Sequence, residues 1–144
     1  MAYVRVDDTP ISLRYKVNQP DVVMIMDQNL LKMTNPFQGL KPGGTVIING
    51  EDVPSQLASS LKTDHSVSLY VINASFLSEK IYGKKSIPIV NVIFLGAYCR
   101  AVGDVQVESI HHVLPDYFAA GQVDLNCRAV RVGFDNLRGI PWST

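Results

Sequence analysis

Three short apolar runs in this chain each stop at a small polar side chain. Val22-Val23-Met24-Ile25-Met26 stops at Asp27, Thr45-Val46-Ile47-Ile48 at Asn49, and Val67–Ile72 at Asn73. A carboxylate offers hydrogen-bond acceptors, and a carboxamide offers acceptors and donors. In open α/β sheets ligands sit beyond the carboxyl ends of the strands. Asp27, Asn49 and Asn73 therefore make a candidate ligand-facing rim whose chemistry is hydrogen bonding rather than proton transfer. The same residue types are ordinary helix caps and turn formers, and capping is the default reading for each. Asn91 joins the rim less directly. It interrupts Ile89-Val90-Asn91-Val92-Ile93, where a buried amide must find partners. A helix cap, a core network and a group reaching an interface all remain open for it.

Other chemistries find little support. His111 and His112 are adjacent, so on a helix they point about 100° apart and cannot chelate one metal together. They read as surface or packing residues, and His65 as an isolated turn residue. No Gly-x-Ser-x-Gly elbow is present. The two cysteines, Cys99 and Cys127, lie far apart in apolar or amphipathic stretches. An iron–sulfur cluster or a structural zinc normally takes four ligands, so the pair reads as core. Gly43-Gly44 is a turn. Gly83-Lys84-Lys85-Ser86 lacks the preceding glycine of a phosphate loop; it reads as a solvated loop whose lysines could meet an anion on a neighbouring chain. No catalytic or metal-ligating set emerges.

The elements that must position the rim follow from periodicity. Val22–Met26 is a continuous apolar run, which is the pattern of a strand covered on both faces; Thr45–Ile48 reads as a second buried strand and Val67–Ile72 as a third. Asn29–Met33 reads as a short helix ended by Asn35-Pro36, and Pro54–Leu61 as another helix. Ser75–Tyr82 reads as a helix burying Phe76, Leu77 and Ile81 and closed by Gly83. Ile87–Val102 is apolar nearly all round and long enough for a buried helix. Glu108–Val113 begins a helix that Pro115 must kink or end. Val123, Cys127, Val130, Phe134 and Leu137 recur at helical spacing. Ala2–Val6 and Ile11–Val17 alternate at period two around Asp7-Asp8-Thr9-Pro10, which suggests a β-hairpin. Buried strands alternating with helices define an α/β fold, expected as one domain over residues 1–144.

The bulk composition narrows function further. Thirteen Lys+Arg balance thirteen Asp+Glu, which gives no electrostatic case for nucleic acid or an anionic membrane. Charged residues are 18% of the chain against about a quarter in typical domains, as expected where a partner covers some surface. No secretory signal and no apolar run of membrane-spanning length is visible. The expectation is a cytosolic protein with reduced thiols.

The order Arg5-Val6, Pro10-Ile11, Pro20-Asp21-Val22-Val23, Asp27, Leu30-Leu31 and Leu40-Lys41-Pro42-Gly43-Gly44-Thr45-Val46-Ile47-Ile48-Asn49 resembles the gamma subunit of 2-oxoacid:ferredoxin oxidoreductases, the pyruvate:ferredoxin oxidoreductase family. Val71-Ile72-Asn73-Ala74, Asn91-Val92-Ile93-Phe94-Leu95-Gly96-Ala97, the Val107–Phe118 stretch and Asn126-Cys127-Arg128-Ala129-Val130 with Gly133 continue the likeness to about Leu137. The resemblance implies a three-layer, Rossmann-like domain with a mixed sheet. It also implies truncation at the N-terminus, because the family's glycine-rich turn and arginine-glycine segment have no counterpart here. It implies an accessory subunit that binds no cofactor alone and packs with thiamine-binding and iron–sulfur subunits. Thiamine pyrophosphate, iron–sulfur clusters and coenzyme A would act in that complex, with ferredoxin met indirectly and pyruvate the leading substrate. Asp27, Asn49, Asn73 and Asn91 would then face substrate, coenzyme A or a partner loop. Another polypeptide or a second copy would fill the missing part of the sheet. The rival reading is a stand-alone ligand-binding or structural domain, with a homodimer as one form of it. An independent enzyme has the least support.

Overall fold

The computed structural model describes residues 1–12, 15–32, 35–54, 57 and 66–141. Their sheet holds β1 (Val22–Ile25), β2 (Thr45–Asn49), β3 (Ser68–Ile72) and β4 (Arg138–Ile140), in that spatial order. β1, β2 and β3 run parallel and β4 is antiparallel to β3, so the sheet is mixed. The helices are α1 (Ala74–Tyr82), α2 (Asn91–Val102), α3 (Val107–Tyr117) and α4 (Ala120–Asp135).

Alternation along the strands sends side chains into two cores. Ile47 and Ile72 meet Val92, Ile93, Phe94, Ala97, Ala129 and Val130 from the helices. Ile25, Val46, Ile48, Leu69 and Val71 meet Phe37 and Leu57 on the opposite face, with Leu31, Leu40 and Val53 packed around them. Helices, sheet and loop-borne apolar residues thus form three layers. β2 lies at the centre, and Val46, Ile47 and Ile48 are each 0% exposed.

Two glycines set the closest helix contact. A Cβ on Gly96 would lie 1.8 Å from the Val130 carbonyl oxygen, and one on Gly133 would lie 1.9 Å from that of Ile93. Pairing 96 with 130 and 93 with 133 makes α2 and α4 antiparallel. Asn126 on α4 is buried and satisfied: it accepts from the Tyr82 hydroxyl at 2.7 Å and donates to the Gln122 carbonyl at 3.0 Å.

Several expectations are corrected. The described residues of Ala2–Val6 and Ile11–Val17 form no strand, and Leu13 and Arg14 fall outside the description. Only the turn between them survives, with the Asp7 carboxylate accepting from Thr9 N–H and Oγ1 at 2.9 and 2.8 Å. Strand patterning needs a neighbour to pair with, and none reaches this segment among the described residues. α2 starts at Asn91 rather than Ile87. The buried Ser78 hydroxyl accepts the Ile89 N–H at 2.8 Å, which holds residues before Asn91 in a loop along α1. Asn91 itself is exposed, so it is not the buried amide expected. Phe76 is 53% exposed, while Leu77 and Ile81 pack against the helix-side core as expected and Ala74 and Ser78 are the fully buried residues of α1. Pro115 lies within α3, which continues two residues further to Tyr117. Asn29–Met33 is a 3-10 turn over Gln28–Lys32. Of the Pro54–Leu61 helix only Leu57 is described beyond Pro54, and it is helical. His65 lies outside the described residues.

Candidate functional site: the carboxyl rim of the parallel strands

Because β1, β2 and β3 are parallel, Asp27, Asn49 and Asn73 emerge at one end of the sheet. Each is held differently. The Asp27 carboxylate accepts from the Asn29 backbone N–H at 2.9 Å and its side-chain amide at 3.0 Å, an Asx turn that opens the 3-10 turn. Asn73 is the N-cap of α1 and accepts the Phe76 N–H at 3.0 Å. Its amide donates to the Glu51 carboxylate at 3.1 Å.

Asn49 binds most broadly. Its amide donates to the Met26 carbonyl at 2.8 Å and to Ser75 Oγ at 2.9 Å, and its side-chain oxygen accepts the Ser75 N–H at 3.3 Å. One side chain therefore ties the end of β1 to the start of α1 across the end of β2. Gln28 donates to the Asn49 carbonyl at 2.8 Å and lies against Gly50, where a Cβ would meet its side-chain nitrogen at 2.1 Å.

Sequence reasoning missed the far member of the rim. Arg138 on β4 donates to the Glu51 carbonyl and, at 3.1 Å, to the Asp52 carboxylate. The antiparallel register pairs Arg138 with Val71, which brings the guanidinium to the carboxyl end of β3. A single arginine before a glycine carries no periodic signal, and only the topology reveals its place. Asn91 opens α2. Since α4 runs toward β4 and α2 runs against α4, Asn91 lies at the same end of the molecule, but it makes no side-chain hydrogen bond among the described residues.

Among the described residues the rim's charge is mainly negative. Asp27, Glu51 and Asp52 supply carboxylates, and the guanidinium of Arg138 is already engaged by Glu51 and Asp52. Such a rim repels phosphates and suits neutral amides, hydroxyls or a partner's backbone. Lys84 and Lys85 lie exposed beyond the far end of α1. Gly43 donates to the Ser66 carbonyl at 2.8 Å in the turn before β2, at the opposite, amino end of the parallel strands.

The groups that could do covalent or metal chemistry lie elsewhere. Cys99 is buried, and burial pushes its thiol pKa up, away from the reactive thiolate. Cys127 is half-buried on α4, and its carbonyl lies 3.1 Å from His111 Nε2. No group of three or more His, Cys, Asp or Glu converges among the described residues. These residues fit neither an iron–sulfur cluster nor a metal-bound diphosphate, so no reaction step is assigned to either on this chain. No helix of the described residues is long and apolar enough to cross a membrane.

The family model described as pyruvate ferredoxin/flavodoxin oxidoreductase matches residues 1–136. The chain is 34% identical over 134 residues to the pyruvate/ketoisovalerate oxidoreductases common subunit gamma of Thermococcus litoralis, covering 93% of this chain and 70% of that one. It is 33% identical over 137 residues to the pyruvate synthase subunit PorC of Methanocaldococcus jannaschii, covering 95% and 71%. The crystal structure of pyruvate oxidoreductase subunit PORC from Thermotoga maritima superposes with a TM-score of 0.71 at 26% identity, over 85% of this chain and 66% of that one. The chain belongs to the pyruvate ferredoxin/flavodoxin oxidoreductase family. It spans about two thirds of the solved chain it matches.

Proposed function

We propose that this chain is the accessory gamma subunit of a 2-oxoacid:ferredoxin oxidoreductase, supporting oxidative decarboxylation of a 2-oxoacid, pyruvate foremost, to acyl-CoA. The observation that carries the reading is the family match across residues 1–136. The relatives' names add weight: one is a common subunit gamma of pyruvate and ketoisovalerate oxidoreductases, and another a subunit of pyruvate synthase. The chain acts as one gamma-type domain in the cytoplasm, assembled with thiamine-binding and iron–sulfur subunits. Thiamine pyrophosphate, the clusters and coenzyme A are bound by those partners.

Asp27, Asn49, Asn73 and Asn91 form the face turned toward them. The first three spend their hydrogen bonds on the rim itself, so their part is to fix its shape for a partner loop or a neutral portion of coenzyme A. The carboxylates of Glu51 and Asp52 keep the phosphates of coenzyme A at a distance. Asn91 retains a free amide among the described contacts and is the direct donor.

Removal and add-back of the chain test the reading. The anaerobic complex is stripped of this chain, and pyruvate- and coenzyme A-dependent ferredoxin reduction is followed. The expected result is loss of most of the rate on removal and its recovery on add-back. An unchanged rate on removal sinks the proposal. The rival, a stand-alone ligand-binding domain, predicts that unchanged rate.

A further inference from the structure

The loop after β2 is held more firmly than its exposure requires. Glu51 and Asp52 are exposed, yet residues from three neighbouring strands fix the loop. The Gly50 N–H donates to the Ile72 carbonyl, at the end of β3, at 2.9 Å. Gln28, just past β1, takes the Asn49 carbonyl, and Asn73, just past β3, takes the Glu51 carboxylate. Arg138 crosses from β4 to the Glu51 carbonyl and the Asp52 carboxylate.

Stability does not account for the last of these contacts. The Arg138 and Asp52 side chains are 59% and 85% exposed, and an ion pair so open to water contributes little to folding. Its effect is order. A loop fixed before binding spares a ligand the cost of fixing it. The loop lies where that matters: it follows the strand flanked by β1 and β3, at the carboxyl end where ligands of such sheets sit. The guanidinium's planar fork spans a carbonyl and a carboxylate together, which a lysine ammonium does less well. Its positive charge offsets one of the Glu51 and Asp52 carboxylates, which would otherwise repel an anionic ligand more strongly. The family model matches residues 1–136, so Arg138 lies beyond it and the family match gives it no part.

We propose that Arg138 is a positioning residue for coenzyme A. It holds Gly50–Asp52 in the shape that meets the cofactor's neutral arm, and it tempers the repulsion between the loop's carboxylates and the cofactor's phosphates. It acts through the loop and touches no reacting atom. The inference rests on the subunit reading and assigns part of the affinity for coenzyme A to one side chain.

Add-back to the stripped anaerobic complex tests the proposal. Wild-type chain, Arg138→Met and Arg138→Lys are compared in ferredoxin reduction at varied coenzyme A and at varied pyruvate. Arg138→Met should raise the KM for coenzyme A about fivefold or more and leave kcat and the KM for pyruvate within about twofold. Arg138→Lys keeps the charge and loses the fork, so it should recover part of that rise. The Tm of each variant chain should stay within about 2 °C of the wild type, as expected on losing an exposed pair. An unchanged KM for coenzyme A with Arg138→Met overturns the inference and leaves the subunit reading standing. So does a rise in the KM for pyruvate alone. A joint fall in Tm and kcat with both KM values raised marks Arg138 as merely structural and overturns the inference as well. Arg138→Lys no better than Arg138→Met overturns the part given to its charge. Wild-type add-back that restores nothing overturns the subunit reading itself.

Discussion

Replacing Gly96 with alanine should be strongly damaging for the gain of a single methyl group. The new Cβ would lie 1.8 Å from the Val130 carbonyl oxygen, against 3.4 Å or more for an ordinary contact. The obstacle is helix backbone, which cannot swing away as a side chain can. α2 and α4 must move apart by more than 1 Å, opening an interface where Ile93, Phe94, Ala97, Ala129 and Val130 are each 0% exposed. Overpacking a core costs about 1–3 kcal/mol, and a backbone obstacle belongs at the top of that range. The higher helix propensity of alanine returns up to about 1 kcal/mol. The net loss is about 2 kcal/mol, or a fall in Tm of roughly 8 °C at about 4 °C per kcal/mol. Gly121→Ala is the internal control, since nothing lies within 4 Å of its Cβ position in α4. That change should leave Tm unaltered or raise it by about 2 °C. Thermal unfolding followed by circular dichroism, with urea titration alongside, reads both variants. If Gly96→Ala matches the wild type, or the two substitutions shift Tm alike, the close approach of α2 and α4 is wrong.

Other outcomes follow from the rim and the helix surfaces. Asn49→Ala removes the tie between Met26 and Ser75 and leaves both without their side-chain partner; urea unfolding should show a loss of about 1–3 kcal/mol. Asn49→Asp should be no better, because a carboxylate cannot donate to the Met26 carbonyl. The Glu108 pKa is lowered by its own backbone N–H and by Arg131, whose guanidinium is 2.9 Å away. Its contribution is therefore present above the usual carboxylate pKa and lost as pH falls through the lowered value. NMR titration should show Arg131→Met moving that pKa upward, and no movement would exclude the pairing. The Tyr98 hydroxyl is pushed up to about 12 by burial and by its 2.8 Å hydrogen bond to Asp104. Ultraviolet titration should show Asp104→Asn lowering this value.

The parallel strands and their polar ends were legible because strands set into a core are mostly apolar, and Asp27, Asn49 and Asn73 mark where each run stops; coverage was not legible, since Val22–Met26 reads as buried on both faces while Met24 is 39% exposed. α4 was legible from its 3–4 spacing. The misses have separate causes. β4 is three residues long, too short for any period, and it exists because β3 offers an edge. The hairpin expected around Asp7–Pro10 had the right alternation, but alternation states which face would be buried and not whether a neighbour is there. Phe76 was assigned to the buried face from apolarity, while Ala74, Leu77, Ser78 and Ile81 share one helical face at three- and four-residue spacing and Phe76 falls off it. Asn91 looked buried because its neighbours are apolar; in a helix those neighbours point elsewhere. At the rim, residue types suggested hydrogen-bonding chemistry. The sharing of Asn49 between Met26 and Ser75, and the reach of Arg138 over 86 residues to Asp52, needed the folded chain.

The central claim is that this chain works as one subunit of a larger oxidoreductase. Purifying it untagged from its own cells without oxygen, and identifying by mass spectrometry what travels with it, tests this most directly. Thiamine-dependent and cluster-bearing chains should be recovered in fixed proportion to it. Recovery of the chain alone, as a monomer or a homodimer, would show that it does not work as a subunit.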